Sequence, residues 1–145
     1  MKHLLLGASA LALTVGLTGP VSAQEGEFTL NILHLNDFHS RFGPITSSDS
    51  NCDAETDAAG ECFGGIARVK TAIEDKRAEL EGENVVLLDA GDWFQGSLFY
   101  TQYRSEIVSE FSNGLGIDLM AVGNHEFDDG PEELAALLDA IEYPL

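Results

Sequence analysis

Basic residues are scarce in this sequence, which has 7 Lys and Arg against 25 Asp and Glu and a formal net charge of −18. A surface this acidic repels phosphate and has little to gain from counterion release, which excludes a protein that binds the backbone of a nucleic acid. Internal repeats and low-complexity segments are also absent from the sequence. Its 145 residues have room for one small domain or for part of a larger one.

A membrane-spanning run is lacking as well, since the apolar stretch Leu4–Leu17 is too short and too interrupted to cross a bilayer. It follows the positive charge of Lys2 and precedes the small-x-small pattern of Val21–Ala23. These features predict a signal peptide over residues 1–23 and a mature chain over residues 24–145. Because no Cys follows the cleavage point, we expect no lipid or membrane anchor. The pattern is typical of bacterial export, so we expect secretion across the inner membrane to the periplasm or the extracellular space.

Cysteine is limited to Cys52 and Cys62, which flank the polar segment Asp53–Glu61. In an oxidising compartment, two Cys at short spacing predict a disulfide. The alternative is a metal-binding pair, although no second Cys or His pair supports it. The acidic residues between the two Cys fit a solvated surface better than a calcium site.

The remaining pattern alternates strands and helices along the chain. Short apolar runs predict buried strands at Phe28–Leu35, Val85–Leu88 and Leu119–Val122, the first of them covered on both faces. Apolar residues at helical spacing predict three helices, from Ile66 to about Gly82, around Ile107–Leu115, and from Pro131 to Ile141. The segment Pro44–Glu61 is rich in Ser, Asp and Gly and predicts a loop. The order predicts an α/β fold with a parallel sheet and right-handed crossovers.

A polar cluster follows each predicted strand directly. The side chains concerned are Asp37 and His39 after the first strand, Asp92 after the second, and Asn124, His125 and Asp128 after the third. Taken singly, such residues at a strand end usually serve turns and helix caps. Because the carboxyl ends of parallel strands share one edge of the sheet, we expect these groups to converge there.

Carboxylate, imidazole and amide groups together suit a pair of divalent ions such as Zn²⁺ or Mn²⁺, roughly 3.5–4 Å apart. Asp37 and His39 can bind one ion, Asp92 can bridge, and Asn124 can reach the second ion without adding charge. His125 need not be a ligand, because Asp128 can hold its tautomer while it donates a proton to a leaving oxygen. His34, in the first predicted strand, is expected in the core or in a supporting position behind the ligands, rather than as a ligand.

These motifs resemble the calcineurin-like metallophosphoesterases and, more narrowly, the exported 5′-nucleotidase family. The resemblance rests on Ile32–Ser40, Leu87–Asp92, Gln95–Gly96 and Ala121–Asp128, and Cys62–Arg68 with the preceding Cys52 is similar to the ecto-5′-nucleotidase branch. It implies that the chain is the first half of a four-layer α/β-β/α sandwich. It also implies Asp37 and His39 on one metal, Asp92 bridging, Asn124 on the other, and His125 with Asp128 as the catalytic dyad.

The implied activity is hydrolysis of nucleotide phosphate monoesters by a water that two metal ions activate. Members of the same family that cleave 2′,3′-cyclic nucleotides, UDP-sugars or thiosulfate esters share these motifs, so the alternatives stay open. A hypothesis from a different class of function is that the chain is a non-catalytic metal-binding fragment. The family's further ligands and its substrate-binding C-terminal domain lie beyond the residues present here, so we expect residues 24–145 alone to bind at most one divalent ion, to self-associate and to lack turnover.

Overall fold

A computed structural model describes residues 26–145. The predicted signal peptide, residues 1–23, lies outside the described residues. In chain order the elements are β1 (Leu30–Leu35), β2 (Ile45–Thr46), α1 (Ala54–Ala58), β3 (Cys62–Phe63), α2 (Ile66–Glu79), β4 (Asn84–Asp89), α3 (Leu98–Asn113), β5 (Leu119–Met120) and α4 (Pro131–Ala140). A single 3-10 turn, His125–Phe127, connects β5 to α4.

The central sheet is parallel, as the sequence predicts, and its strand order is β1-β4-β5. Leu35 lies opposite Asp89, and Asp89 lies opposite Met120. This register aligns the carboxyl ends of the three strands. The loops that follow them therefore leave the sheet at one edge, and the predicted α/β fold class is confirmed.

The hydrophobic core lies between one face of this sheet and the helices. Leu87 of β4 is fully buried there, together with Trp93, Val108 of α3 and Leu137 of α4. Burial of these large apolar side chains is the main favourable term in the folding of the domain.

The other face of the sheet is open within residues 26–145. Leu30 and Ile32 of β1 are 49% and 55% exposed, and Leu119 of β5 is 46% exposed. The prediction that β1 is covered on both faces is therefore wrong for the described part of the chain. His34 lies on the same face and is exposed, so of the two predicted roles the one in the core is wrong for the described part of the chain.

The segment Pro44–Glu61, predicted as a loop, contains regular structure. β2 pairs with β3 in an antiparallel ribbon in which Thr46 lies opposite Cys62. Between these strands, Asp53 caps the short helix α1 by accepting a hydrogen bond from the Thr56 amide at 2.8 Å. Cys52 and Cys62 are joined as a disulfide, with Cα atoms 5.9 Å apart. The paired Cys residues thus stabilise a small hairpin at the surface.

The predicted helices are all present, with one difference. α3 begins at Leu98, well before the apolar pattern that starts at Ile107, and its backbone is non-helical at Arg104. Pro131 occupies the first turn of α4, where its missing amide hydrogen costs nothing. Among residues 26–145, every helix is too short or too polar to cross a membrane.

Candidate metal centre and catalytic dyad

The three loops at the carboxyl edge of the sheet are joined to one another by backbone hydrogen bonds. The amide of Asp37 donates to the Gly91 carbonyl at 2.9 Å, and the amide of His39 donates to the Asp92 carbonyl at 3.0 Å. On the other side, the Ala121 amide donates to the Asp89 carbonyl at 2.8 Å. The loop after β4 is therefore held between the loops after β1 and β5.

Glycine residues permit the close approach of the loop after β4 and the loop after β5. A Cβ on Gly123 would collide with the carboxylate of Asp92 and would lie 2.6 Å from the Asp92 amide nitrogen. Gly91 has a φ of 84°, and a Cβ there would collide with the backbone of Gly123. A side chain at either position would push Asp92 away from the loop after β5.

Three of the predicted metal ligands have left-handed backbone conformations. The φ angles are 52° at Asp37, 48° at His39 and 60° at Asp92. Residues other than glycine adopt this region rarely, and they are concentrated at functional sites where the surrounding structure maintains the strain. The loops thus hold these side chains at a conformational cost.

His39 is oriented by a backbone carbonyl. Its Nδ1 lies 3.1 Å from the Phe94 carbonyl oxygen. Because a carbonyl can only accept, Nδ1 carries the hydrogen and Nε2 keeps its lone pair. That Nε2 lies 3.8 Å from Oδ1 of Asp37. The two groups are therefore placed to share a cation.

His125 and Asp128 form the predicted pair. Nδ1 of His125 lies 2.7 Å from Oδ2 of Asp128, one turn further along the chain. This hydrogen bond raises the pKa of His125, and burial opposes the shift. The backbone amide of His125 also donates to Oδ1 of Asp92 at 2.9 Å. The imidazole is thereby fixed in tautomer and tied to the loop that carries Asp92.

Ligand atoms of His39, Asp92 and His125 all lie within 4.8 Å of one another, close enough to hold a metal ion. The two imidazole rings are 5.0 Å apart and meet edge to face. This group differs from the predicted first ligand set, since it contains His125 in place of Asp37. Nitrogen and carboxylate donors suit Zn²⁺, Mn²⁺ and similar ions, so the donor set fits a divalent metal.

The remaining predicted ligands lie at the border of this group. Asp37 accepts a hydrogen bond from the Asn36 side chain at 2.6 Å and is exposed beside His39. Asn124 directly follows Gly123, and its side chain is exposed and does not cap the turn that it precedes. Both have the free polar groups that a ligand needs.

Sequence reasoning missed Glu126, which is fully buried between His125 and Phe127. Its carboxylate accepts hydrogen bonds from four backbone amides, those of Asp92 at 2.9 Å, Trp93 at 2.7 Å, Phe94 at 3.3 Å and Gly123 at 2.7 Å. One carboxylate therefore joins the loops after β4 and β5. The spacing of the sequence carried no signal for this role, because Glu at a turn is ordinarily exposed.

Asp89, at the end of β4, was also missed as a site residue. Its carboxylate accepts hydrogen bonds from the Gly91 amide at 2.8 Å and from Nε1 of Trp93 at 2.7 Å. Burial raises the pKa of Asp89 to about 6, although these two hydrogen bonds oppose the shift. Asp89 thus shapes the turn that presents Asp92.

The chain is similar to known nucleotidases. It is 43% identical over 122 residues to the human 5′-nucleotidase, covering 83% of this chain and 20% of that protein. It is 41% identical over 121 residues to the snake venom 5′-nucleotidase of Gloydius brevicauda, covering 83% of this chain and 19% of that protein. The structure resembles that of a 5′-nucleotidase precursor from Thermus thermophilus, with a TM-score of 0.63 and 38% identity over 80% of this chain and 21% of that one.

The chain spans about a fifth of the length of these relatives. The profile of the family described as calcineurin-like phosphoesterase matches residues 30–143, which include all the loops of the candidate site. The chain therefore belongs to the calcineurin-like phosphoesterase family.

Proposed function

We propose that the complete protein hydrolyses phosphate monoesters of nucleotides. The proposal is supported by relatives named 5′-nucleotidase at about 40% identity and by the cluster of His39, Asp92 and His125. The observation that carries it is the hydrogen-bonded pair of His125 and Asp128 beside that cluster. This pair leaves Nε2 of His125 free of Asp128, so the ring can present that nitrogen to a leaving oxygen.

In this proposal, Asp37, His39, Asp92 and Asn124 would hold the divalent metal. When bound, the metal would supply a water of lowered pKa and would stabilise negative charge on the phosphate. The chain's own contribution is orientation. The Phe94 carbonyl directs the lone pair of His39 toward Asp37, and the amide of His125 fixes one oxygen of Asp92.

His125 is assigned the proton that the leaving alkoxide requires. Its Nδ1 donates to Asp128, which leaves Nε2 to carry the transferable proton. The raised pKa keeps the imidazolium present at a higher pH than in a free histidine. Asp128 therefore acts by orienting the ring and by stabilising its charged form.

A substrate panel on the complete protein tests this function. With Mn²⁺ or Zn²⁺ supplied, nucleoside 5′-monophosphates are expected to be hydrolysed to nucleoside and phosphate faster than 2′,3′-cyclic nucleotides, UDP-sugars or thiosulfate esters are cleaved to their own products, with each reaction followed by chromatography of its products. A preference for one of the other three classes would replace the proposed substrate within the same family. Absence of turnover on all of them, with metal bound, would favour a non-catalytic metal-binding protein.

We also propose that the protein acts outside the cytoplasm. The predicted signal peptide and the disulfide between Cys52 and Cys62 support this location. The name of the relative from snake venom fits a secreted protein as well. Fractionation of the source cells tests this location. We expect a chain that begins at Gln24 to be recovered from the fraction outside the cytoplasm.

A further inference from the structure

Asp129, directly after the dyad residue Asp128, is the centre of a second polar cluster. Its Oδ2 accepts hydrogen bonds from the Tyr100 hydroxyl at 2.7 Å and from Nε2 of Gln95 at 3.1 Å. Its Oδ1 forms an ion pair with Nη1 of Arg104 at 2.7 Å. One carboxylate thus binds side chains from the loop after β4 and from α3.

The backbone of α3 is broken at the residue that supplies this ion pair. Arg104 has φ 55° and ψ −141°, a conformation that a residue with a side chain adopts only at a cost. The helix resumes at Ser105, whose amide donates to Oε1 of Glu133 in α4 at 2.8 Å. The guanidinium of Arg104 lies 5.5 Å from the centre of the Tyr100 ring. Backbone strain maintained by several specific contacts is typical of a functional position.

Asp129 belongs to the same tight turn as the dyad. The Asp128 amide donates to the His125 carbonyl at 3.1 Å, and the Gly130 amide donates to the Phe127 carbonyl at 3.2 Å. From the inside, Glu126 joins this turn to the loop after β4. From the outside, Asp129 joins it to α3. The turn is therefore held by two carboxylates, that of Glu126 in the interior and that of Asp129 at the surface.

We propose that Asp129 is a positioning residue for the dyad: by binding Gln95, Tyr100 and Arg104, it holds the turn so that His125 faces the leaving group. This inference rests on the proposed function, in which His125 protonates the leaving oxygen. Asp129 touches neither substrate nor metal in this account. Its effect reaches the reaction through the orientation of His125 and Asp128.

A merely structural ion pair would affect all substrates alike, whereas a positioning role depends on the leaving group. Hydrolysis of a nucleoside 5′-monophosphate expels an alkoxide, which needs a proton from His125. Hydrolysis of p-nitrophenyl phosphate expels a stable phenolate, which leaves without one. Loss of Asp129 is therefore expected to slow the first reaction much more than the second.

The test compares Asp129→Ala with the wild type in the complete protein. We expect kcat for AMP to fall between about 10- and 100-fold, the usual effect of a small misplacement of a catalytic group. For p-nitrophenyl phosphate we expect a fall of less than about threefold, because general-acid catalysis contributes little there. KM and bound metal are expected to stay unchanged. Asp129→Asn keeps two acceptor contacts and loses the ion pair. Its kcat for AMP is therefore expected to lie between that of the wild type and that of Asp129→Ala.

Hydrogen exchange gives a readout that does not depend on activity. In Asp129→Ala, the amides of Asp128 and Gly130 are expected to exchange faster than in the wild type. The matched control is Asp57→Asn, which removes one charge from the surface ion pair with Arg68 and is expected to change neither exchange in the turn nor either activity. If Asp129→Ala does not fold, Tyr100→Phe removes one contact of the cluster and is expected to show the same substrate dependence, weaker in size.

Equal losses on the two phosphate esters, or unchanged exchange in the turn, would overturn the positioning role. Failure of the proposed function is distinguishable, because the wild type would then release no phosphate from AMP, whatever its rate on p-nitrophenyl phosphate. In that case the exchange measurement alone decides whether Asp129 holds the turn.

Discussion

The backbone amide of Asp92 donates a hydrogen bond to the buried carboxylate of Glu126 at 2.9 Å. Through this contact, the turn that carries His125 is linked to the loop that carries the proposed bridging ligand. In the proposed function, metal binding and proton donation would thus both depend on one buried side chain, that of Glu126, which has neither role itself. The relationship explains why groups far apart in sequence can keep a fixed geometry.

Substitution of Glu126 by Gln is expected to be strongly destabilising. The amide group of Gln places a donor against backbone donors, and a buried donor without a partner costs about 1–3 kcal/mol. With four amides at this carboxylate, we expect the free energy of unfolding to fall by at least about 2 kcal/mol. Chemical denaturation measures this, with Glu110→Gln on the exposed face of α3 as the control. Equal stabilities of the two variants would show that Glu126 does not organise the loops.

Substitution of Gly123 by Ala tests the close approach of two loops. The new Cβ collides with Asp92, although the backbone conformation at Gly123 is open to alanine. We therefore expect loss of bound divalent metal with little change in the far-UV circular dichroism. Gly26→Ala, where a Cβ would meet no atom within 4 Å, is the control. Full metal content in Gly123→Ala would contradict the placement of Asp92 at the metal.

The pH dependence of the reaction is expected to report on the dyad. The hydrogen bond that His125 donates to Asp128 raises the pKa of His125, so the proton donor is present below that raised pKa and is lost above it. Asp128→Asn removes the charge that stabilises the imidazolium, and the alkaline limb of kcat is expected to move to lower pH. Asp139→Asn, an exposed change on α4, is expected to leave the limb in place. An alkaline limb at the same pH in Asp128→Asn as in the wild type would assign that limb to a group other than His125.

Removal of the disulfide is expected to affect stability alone. Replacing both Cys52 and Cys62 by Ser releases a short loop, and the chain-entropy estimate predicts a loss of roughly 2–3 kcal/mol in the free energy of unfolding. No proposed ligand lies between these residues, so bound metal and kcat are expected to remain. Mass spectrometry of the purified wild type is expected to find no free thiol. Two free thiols there, or loss of metal in the double variant, would contradict this assignment.

The fold was predictable because strand and helix patterns alternate clearly between Leu30 and Ala140. The site loops were predictable because parallel strands end at one edge, which places Asp37, Asp92 and Asn124 in neighbouring loops without any knowledge of distances. The break of α3 at Arg104 was not predictable, since it depends on contacts with Asp129 and Glu133 in another part of the chain.

The role of Glu126 was not predictable either, because it also depends on contacts with another part of the chain. The local sequence around it indicates a turn, and only the packing of two loops around that turn buries its carboxylate. The open face of the sheet illustrates the same limit. Alternation in β1 shows that both faces are apolar, but the pattern cannot show what covers each face.

The central claim is that Asp92 holds metal while His125 donates a proton. Its most direct test measures bound metal and phosphate release from AMP in the complete protein, in Asp92→Asn and in His125→Ala. We predict that Asp92→Asn loses both metal and activity, whereas His125→Ala keeps its metal and loses about 10²- to 10⁴-fold in kcat. Equal loss of metal in the two variants would make His125 a ligand, as its place beside His39 and Asp92 allows, and would contradict the assignment of the dyad.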